Sequence, residues 1–304
     1  MTSRLLVLCS GQGGQHAGMF DLLSSTNGAE ILHDLCAPEL DSIAEKPESI
    51  FANQYAQPLI VTSQMAIWNL LKDRIPTPDL VAGYSIGELS AYGIAGMLDV
   101  RQIVGLARLR AQLMDACRDP QHAQIMVAVN GVQLRQVRSI IQDSGFEIAI
   151  INADDALILG GIADQFAKLE TELVAHGAKV QQLPVHIASH TSCLRNACQP
   201  FHEKLQACDF RGGICPVISG KNGGQIYGKH AAVQQLSHQL LETIHWHDCM
   251  DAFAENGISV ALELGPGAAL SRMLQARHPQ IACRSVSEFR SIDGIIQWLS
   301  RHIE

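Results

Sequence analysis

Ser85 lies in Gly83-Tyr84-Ser85-Ile86-Gly87, a G-x-S-x-G pattern between a short apolar run and a stretch of small residues. The two glycines permit a tight strand-to-helix turn that lifts the hydroxyl off the sheet edge, as a nucleophile requires. The helix that follows would aim backbone N–H groups at the oxygen that becomes negative when a carbonyl is attacked. An ordinary glycine-flanked turn is the alternative reading. Such a serine needs a base, and spacing alone cannot choose among 13 histidines. His186 and His190 stand four apart after a strand-like run, and His245 and His247 flank Trp246. Neither pair has cysteines or carboxylates in a metal-ligand pattern, so no metal site is expected.

Arg110 falls inside the apolar stripe of a helical stretch, among Ile103, Leu106, Ala107, Leu113, Met114 and Cys117. A guanidinium there is costly unless it meets an anion. The anion is either a ligand carboxylate, gripped bidentately, or an internal Asp or Glu. Arg101 and Arg108 read as surface charges. Two glycine-rich stretches fail as nucleotide sites. Gly11-Gln12-Gly13-Gly14-Gln15-His16 has histidine where a dinucleotide fingerprint needs glycine, and Gly223 to Lys229 continues with His230 instead of Ser or Thr.

The elements that must position these residues follow an α/β grammar. The chain has 304 residues, 47% hydrophobic and 17% charged, enough for a sizeable core. Its net charge of −8 and 5% aromatic content give no footprint for nucleic acid. Nine cysteines without a C-x-x-C pair suggest free thiols in a reducing, cytoplasmic compartment. No apolar stretch approaches a membrane span or a secretory leader. Residues 4–9 read as a buried strand running into the first glycine turn. Helices are expected over 58–73, from Ser85 to about Gly96, and over 100–117 behind an Asp99 cap, with a strand at Leu80–Gly83.

Between residues 123 and 188 the rhythm becomes β-α-β-β-α-β, with strands near 125–129, 146–151, 156–159 and 179–183. This pattern matches an inserted ferredoxin-like subdomain. The α/β pattern then resumes with helices near 193–208, 231–242, 246–256 and 292–303 and strands near 215–219 and 259–264. The expected fold class is therefore α/β, with a parallel-sheet core over 1–122 and 189–304 and the insertion at 123–188.

These residues together resemble the malonyl-CoA:acyl-carrier-protein acyltransferase family over nearly the whole chain. The likeness rests on Gly11-Gln12-Gly13-Gly14-Gln15, Gly83-Tyr84-Ser85-Ile86-Gly87-Glu88, Arg110, Asn152, Ser189-His190, Gln239 and Leu264-Gly265-Pro266-Gly267. It implies an α/β-hydrolase-like core with a ferredoxin-like insertion. By resemblance, Ser85 is the acylated nucleophile and His190 its base. The N–H groups of Gln12 and Ile86 form the oxyanion hole, and Arg110 holds the malonyl carboxylate. The backbone carbonyl of Gln239 orients the histidine, and Asn152 is a secondary pocket residue.

The chain departs from the family at Tyr84, where histidine is usual, at Ser10, where proline is usual, and at Gly14, where a small hydroxyl residue is usual. The stretches 83–89, 151–155 and 188–191 look closer to the transacylase (epsilon) subunit of bacterial malonate decarboxylase. The resemblance implies transfer of malonyl from malonyl-CoA to a carrier-bound, phosphopantetheine-type thiol, with no bound cofactor. Its implied partners are an acyl carrier protein and other malonate decarboxylase subunits. Transfer in fatty-acid or polyketide synthesis is the alternative pathway. Two rivals differ in class: a serine hydrolase, in which Asp164 or Glu170 would support His190, and a non-catalytic docking subunit.

Overall fold

Five consecutive apolar residues form the strand β1 (Leu5–Cys9), every one buried, as expected for a strand covered on both faces. The computed structural model describes residues 3–24 and 27–303. Beyond the first glycine turn come α1 (Asn27–Glu45), α2 (Asn53–Leu71), β2 (Leu80–Gly83), α3 (Gly87–Ile94) and α4 (Val100–Asp115). Helix α1 has no counterpart among the sequence-based expectations. It is kinked at Cys36 and contains Pro38, which interrupts the periodicity by which a helix is recognised. Helix α2 begins at Asn53, before the expected start at residue 58, so Pro58 lies inside it. Asp99 caps α4 as expected: its carboxylate accepts from the Gln102 N–H and the Gln102 side chain accepts from the Asp99 N–H. A cap of this kind contributes about 1 kcal/mol.

The middle of the chain forms β3 (Gln124–Asn130), α5 (Leu134–Ile141), β4 (Phe146–Ala153), β5 (Ala156–Ile162), α6 (Phe166–Ala175) and β6 (Lys179–Gln182). Then follow α7 (Arg195–Gln206), β7 (Val217–Ile218), β8 (Gln225–Ile226), α8 (Lys229–His238), β9 (Ile244–His245) and α9 (Trp246–Glu255). The chain closes with β10 (Val260–Leu264), α10 (Ala269–Arg277), β11 (Ala282–Ser285) and α11 (Ile292–His302).

Two sheets organise these elements. The first runs β11-β10-β1-β2-β7-β8 and is parallel except for the β7–β8 pair. The second runs β6-β3-β5-β4-β9. Its first four strands pair antiparallel and bury a core of their own, including Val127, Val129, Leu157, Leu159 and Leu173. Strand β9 reaches this sheet from outside residues 123–188 and pairs in parallel with β4, Ile150 opposite Ile244 and Ile151 opposite His245. The C-terminal ends of β1 and β10 are drawn together by Gln64 on α2, whose amide donates to the carbonyls of Ser10, Leu264 and Gly265. Ser10 anchors the same edge, its hydroxyl donating to the buried Glu263 at 2.6 Å. Glu263 in turn accepts the N–H groups of Leu270 and Ser271 at the start of α10. Proline at position 10 could make neither this bond nor the Ser10 N–H bond to Leu264.

Candidate active site

The turn from β2 into α3 carries Ser85, and its tightness comes from the flanking glycines. A Cβ at Gly87 would lie 2.1 Å from the Cys9 carbonyl oxygen, and one at Gly83 would lie 2.2 Å from the Glu88 nitrogen. Only hydrogen fits where α3 starts against β1 and β2. Ser85 is driven to a positive φ of 55°. Its Oγ donates to His190 Nε2 at 2.8 Å.

His190 arrives from the segment that follows β6 and is almost wholly buried. Its Nδ1–H donates to the Gln239 backbone carbonyl at 2.6 Å, and its own N–H donates to the Leu240 carbonyl at 2.9 Å. With Nδ1 carrying the proton, Nε2 is left as the acceptor for the serine. Burial, then the nearby Arg110 charge, pushes His190 from its ordinary value down to about 3, against the raising effect of the Gln239 carbonyl. The ring is therefore a neutral base across the physiological range.

Arg110 is 2% exposed on α4, and no carboxylate of the described residues lies within 4.0 Å of it. Its Nη1 donates to Gln57 Oε1 at 2.9 Å, while Nη2 sits 3.4 Å from Gln239 Oε1 and 3.5 Å from Ser85 Oγ. Burial lowers its pKa to about 10, and the charge of Glu88 opposes that shift. The guanidinium thus stays charged at neutral pH, beside the serine, held by neutral amides.

Gln12 belongs to the same network. Its side chain donates to Asn53 Oδ1 at 2.9 Å and accepts from Gln57 Nε2 at 3.2 Å. The backbone N–H groups of Gln12 and Ile86 have no hydrogen-bond partner among the described residues. Asn152, on β4, accepts the Tyr84 hydroxyl at 3.1 Å, and the Tyr84 ring stands edge-on to Trp246 at 5.3 Å. A cleft of about 500 Å³ opens beside this network, lined by Phe51, Asn53, Asp115, Arg118, His186 and Ile187.

The structure brings Ser85, His190, Arg110 and Gln239 into one contact network, with Gln12 joined to it through Gln57 and with Ile86 and Tyr84 beside Ser85 in the chain. Sequence reasoning missed Gln57, whose only signal is one amide in the apolar run Ala56–Val61. It also assigned no role to Glu88, which is 1% exposed. Arg108 corrects an expectation: it is no plain surface charge but grips the buried Glu39 through Nε (2.5 Å) and Nη2 (2.9 Å). Asp164 does not support His190; it faces His122 at 3.0 Å, and Glu170 lies away on α6. All nine cysteines are free.

Among the described residues, one group has metal-ligand spacing: His245, His247 and Asp248, with ligand atoms within 4.8 Å of one another. Asp248 lies in the first turn of α9, where the helix terminus favours an acid, and Arg138 adds positive charge at His245. Asp248 Oδ2 lies 3.4 Å from His245 Nδ1 and its Oδ1 3.1 Å from His247 Nε2, so the fold sets a carboxylate beside this histidine pair, which the sequence pattern did not show.

The model of the acyl transferase domain matches residues 7–291. A malonyl CoA-acyl carrier protein transacylase of Bacillus subtilis is 26% identical over 311 residues, covering 98% of both chains. One of the same name from Synechocystis is 26% identical, covering 94% of this chain and 97% of its own. Among solved structures, the malonyl-CoA:acyl carrier protein transacylase of Xanthomonas oryzae superposes with a TM-score of 0.89 at 26% identity over the full length of both chains. That of Coxiella burnetii superposes with a TM-score of 0.91 at 22% identity, covering 100% of this chain and 99% of its own. The glycine-flanked turn at Ser85 agrees with the match over residues 7–291, and that match leads to one conclusion: the chain belongs to the acyl transferase domain family.

Proposed function

We propose that this acyltransferase moves a malonyl group from malonyl-CoA to the thiol of an acyl carrier protein through a malonyl ester on Ser85. The observation that carries the reading is Arg110: a buried cation with no carboxylate of the described residues within 4.0 Å, its Nη2 3.5 Å from the Ser85 oxygen. Such a group favours an acyl chain that brings its own carboxylate. In the first half-reaction His190 takes the Ser85 proton as the serine attacks the thioester carbonyl. The N–H groups of Gln12 and Ile86 stabilise the oxyanion, and the Gln239 carbonyl stabilises the imidazolium. His190 then gives its proton to the departing CoA sulfur. The carrier thiol reverses these steps. Asn152, through Tyr84, shapes the pocket wall. The cleft lined by Asn53, Arg118 and His186 offers the pantetheine arm a path.

The relatives bear printed names that agree with this substrate pair. One structural neighbour is a malonyl-transacylase in complex with a type II polyketide acyl-carrier protein. The strand order β6-β3-β5-β4 supports reading residues 123–188 as a ferredoxin-like insertion in an α/β-hydrolase-like core. For the pathway, Tyr84 and the stretches 83–89, 151–155 and 188–191 favour a carrier subunit of malonate decarboxylase over one of fatty-acid or polyketide synthesis. We place the reaction in the cytoplasm, without nucleic acid or membrane as partner. Among the described residues, no helix is long and apolar enough to cross a membrane.

Intact-mass analysis tests the proposal. Wild-type protein mixed with malonyl-CoA should gain one malonyl group, Ser85→Ala none, and one candidate carrier should discharge it. No adduct with no CoA release would overturn the reading in favour of a docking subunit. Rapid malonate release without a carrier would favour a hydrolase.

A further inference from the structure

Glu88 is the buried acid nearest this chemistry in the chain, three residues after Ser85 in the first turn of α3. It does not touch His190. Its Oε2 accepts from Gln239 Nε2 at 2.5 Å and from the Gly220 N–H at 3.3 Å, while Oε1 has no hydrogen-bond partner. Burying a carboxylate with so little compensation is expensive, and the expense calls for a physical reason.

That reason lies in Gln239, three of whose four polar groups face the site. Its backbone carbonyl holds His190 Nδ1–H, its Oε1 faces Arg110 Nη2, and its Nε2 faces Glu88. A carboxylate only accepts and a guanidinium only donates, so the amide has one permitted orientation. Turned over, it would set oxygen against the Glu88 carboxylate and N–H against the Arg110 N–H. We infer that Glu88 is a positioning residue for acyl transfer, locking the Gln239 amide so that one residue holds both the base and the carboxylate clamp in register. The inference rests on Ser85 being the acylated residue.

The groups around Glu88 agree with this role. Arg110 on α4 is its cationic neighbour, Tyr92 stands on its own helix and Cys249 on α9; burial raises the last two above their ordinary values, so both stay neutral. Burial pushes Glu88 itself up to about 7, opposed by the Gln239 and Gly220 bonds and by Arg110. Ionised or protonated, Glu88 keeps an acceptor oxygen facing Gln239 Nε2, so the amide lies between that acceptor and the Arg110 donor.

A double-mutant cycle on single-turnover acylation by malonyl-CoA tests the proposal. Glu88→Ala and Gln239→Leu should each slow Ser85 acylation by about 10- to 100-fold, and the double variant should be no slower than the worse single one. Both should displace the low-field Nδ1 proton resonance of His190, which a loss of bulk stability alone would not do. Glu88→Gln keeps an oxygen for Gln239 Nε2 and should restore the rate to within about threefold; Glu88→Met, which fills the space without an acceptor, takes the place of Glu88→Ala in the cycle if the latter fails to fold. Multiplicative losses, or a Glu88→Ala protein with wild-type acylation and an unmoved His190 resonance, would overturn the inference. If wild-type protein itself takes no malonyl group, it is the transferase reading that falls.

Discussion

Ser85 and His190 are the two non-glycine residues of the described chain with left-handed backbone, at φ 55° and 61°, and their side chains meet at 2.8 Å. This conformation costs a residue with a Cβ about 1–2 kcal/mol, so the strain falls on the two members of the proposed catalytic pair. Ser85 is forced there by the approach of α3 to β1, and His190 is held by the Leu240 carbonyl on its N–H.

Ser85→Gly should abolish the acyl adduct yet stabilise the protein by about 1 kcal/mol, since glycine adopts positive φ without the steric cost. Urea unfolding beside Ser85→Ala measures it. Equal stability of the two variants would mean that the elbow stores no strain.

Arg110→Ala should slow acylation by malonyl-CoA by about 100-fold, the loss expected for a charge-assisted contact in a dry site, while changing acetyl-CoA acylation far less. Competition between the two thioesters reads this directly. An unchanged malonyl-to-acetyl preference would remove the carboxylate clamp from the mechanism.

The pH profile carries a sign. Because His190 is pushed down to about 3, acylation should hold steady as pH falls through 6.5, and its acid limb should lie well below that value. Arg110 is one cause of the depression, so Arg110→Ala should move the limb upward. Acetyl-CoA, which has no free carboxylate, separates this effect from substrate binding. A wild-type limb at 6.5 would mean that the histidine is solvated in the working enzyme.

Glu88 gives the opposite sign in stability. Its folded pKa of about 7 exceeds the ordinary 4.5, so the folded state holds the proton more tightly. Its contribution is most favourable below 4.5 and is lost as pH rises towards 7, on the order of 3 kcal/mol between the limits. Glu88→Gln should therefore gain stability over wild type on passing from pH 5 to pH 8. A difference that stays constant with pH would show that Glu88 titrates normally.

Much of the site is legible in the sequence because its signals are local. The elbow announces itself by glycines around a serine at the end of an apolar run, and Arg110 by a charge inside a stripe of period 3.6. Asp99 and Gln102 mark the start of α4. Residues that work by long-range partnership are silent: Gln57 and Glu88 look like ordinary helix-surface residues until the fold buries them among one another. Helix α1 hides for a related reason, since its buried Glu39 makes sense only with Arg108, 69 positions away. Strands β8 and β9 have two residues each, too few for any alternation to show.

Strand β9 has a consequence for how portable residues 123–188 are. The segment is joined to the rest by its two chain ends and also by backbone bonds from β4 to Ile244 and His245. Swinging it away as a body would break that pairing, so its position is fixed at a third point of attachment. Excised, the segment would carry β4 as a naked edge, prone to recruit a strand from another copy. Grafting it into a relative would require the donor's residues 244–245 to travel with it.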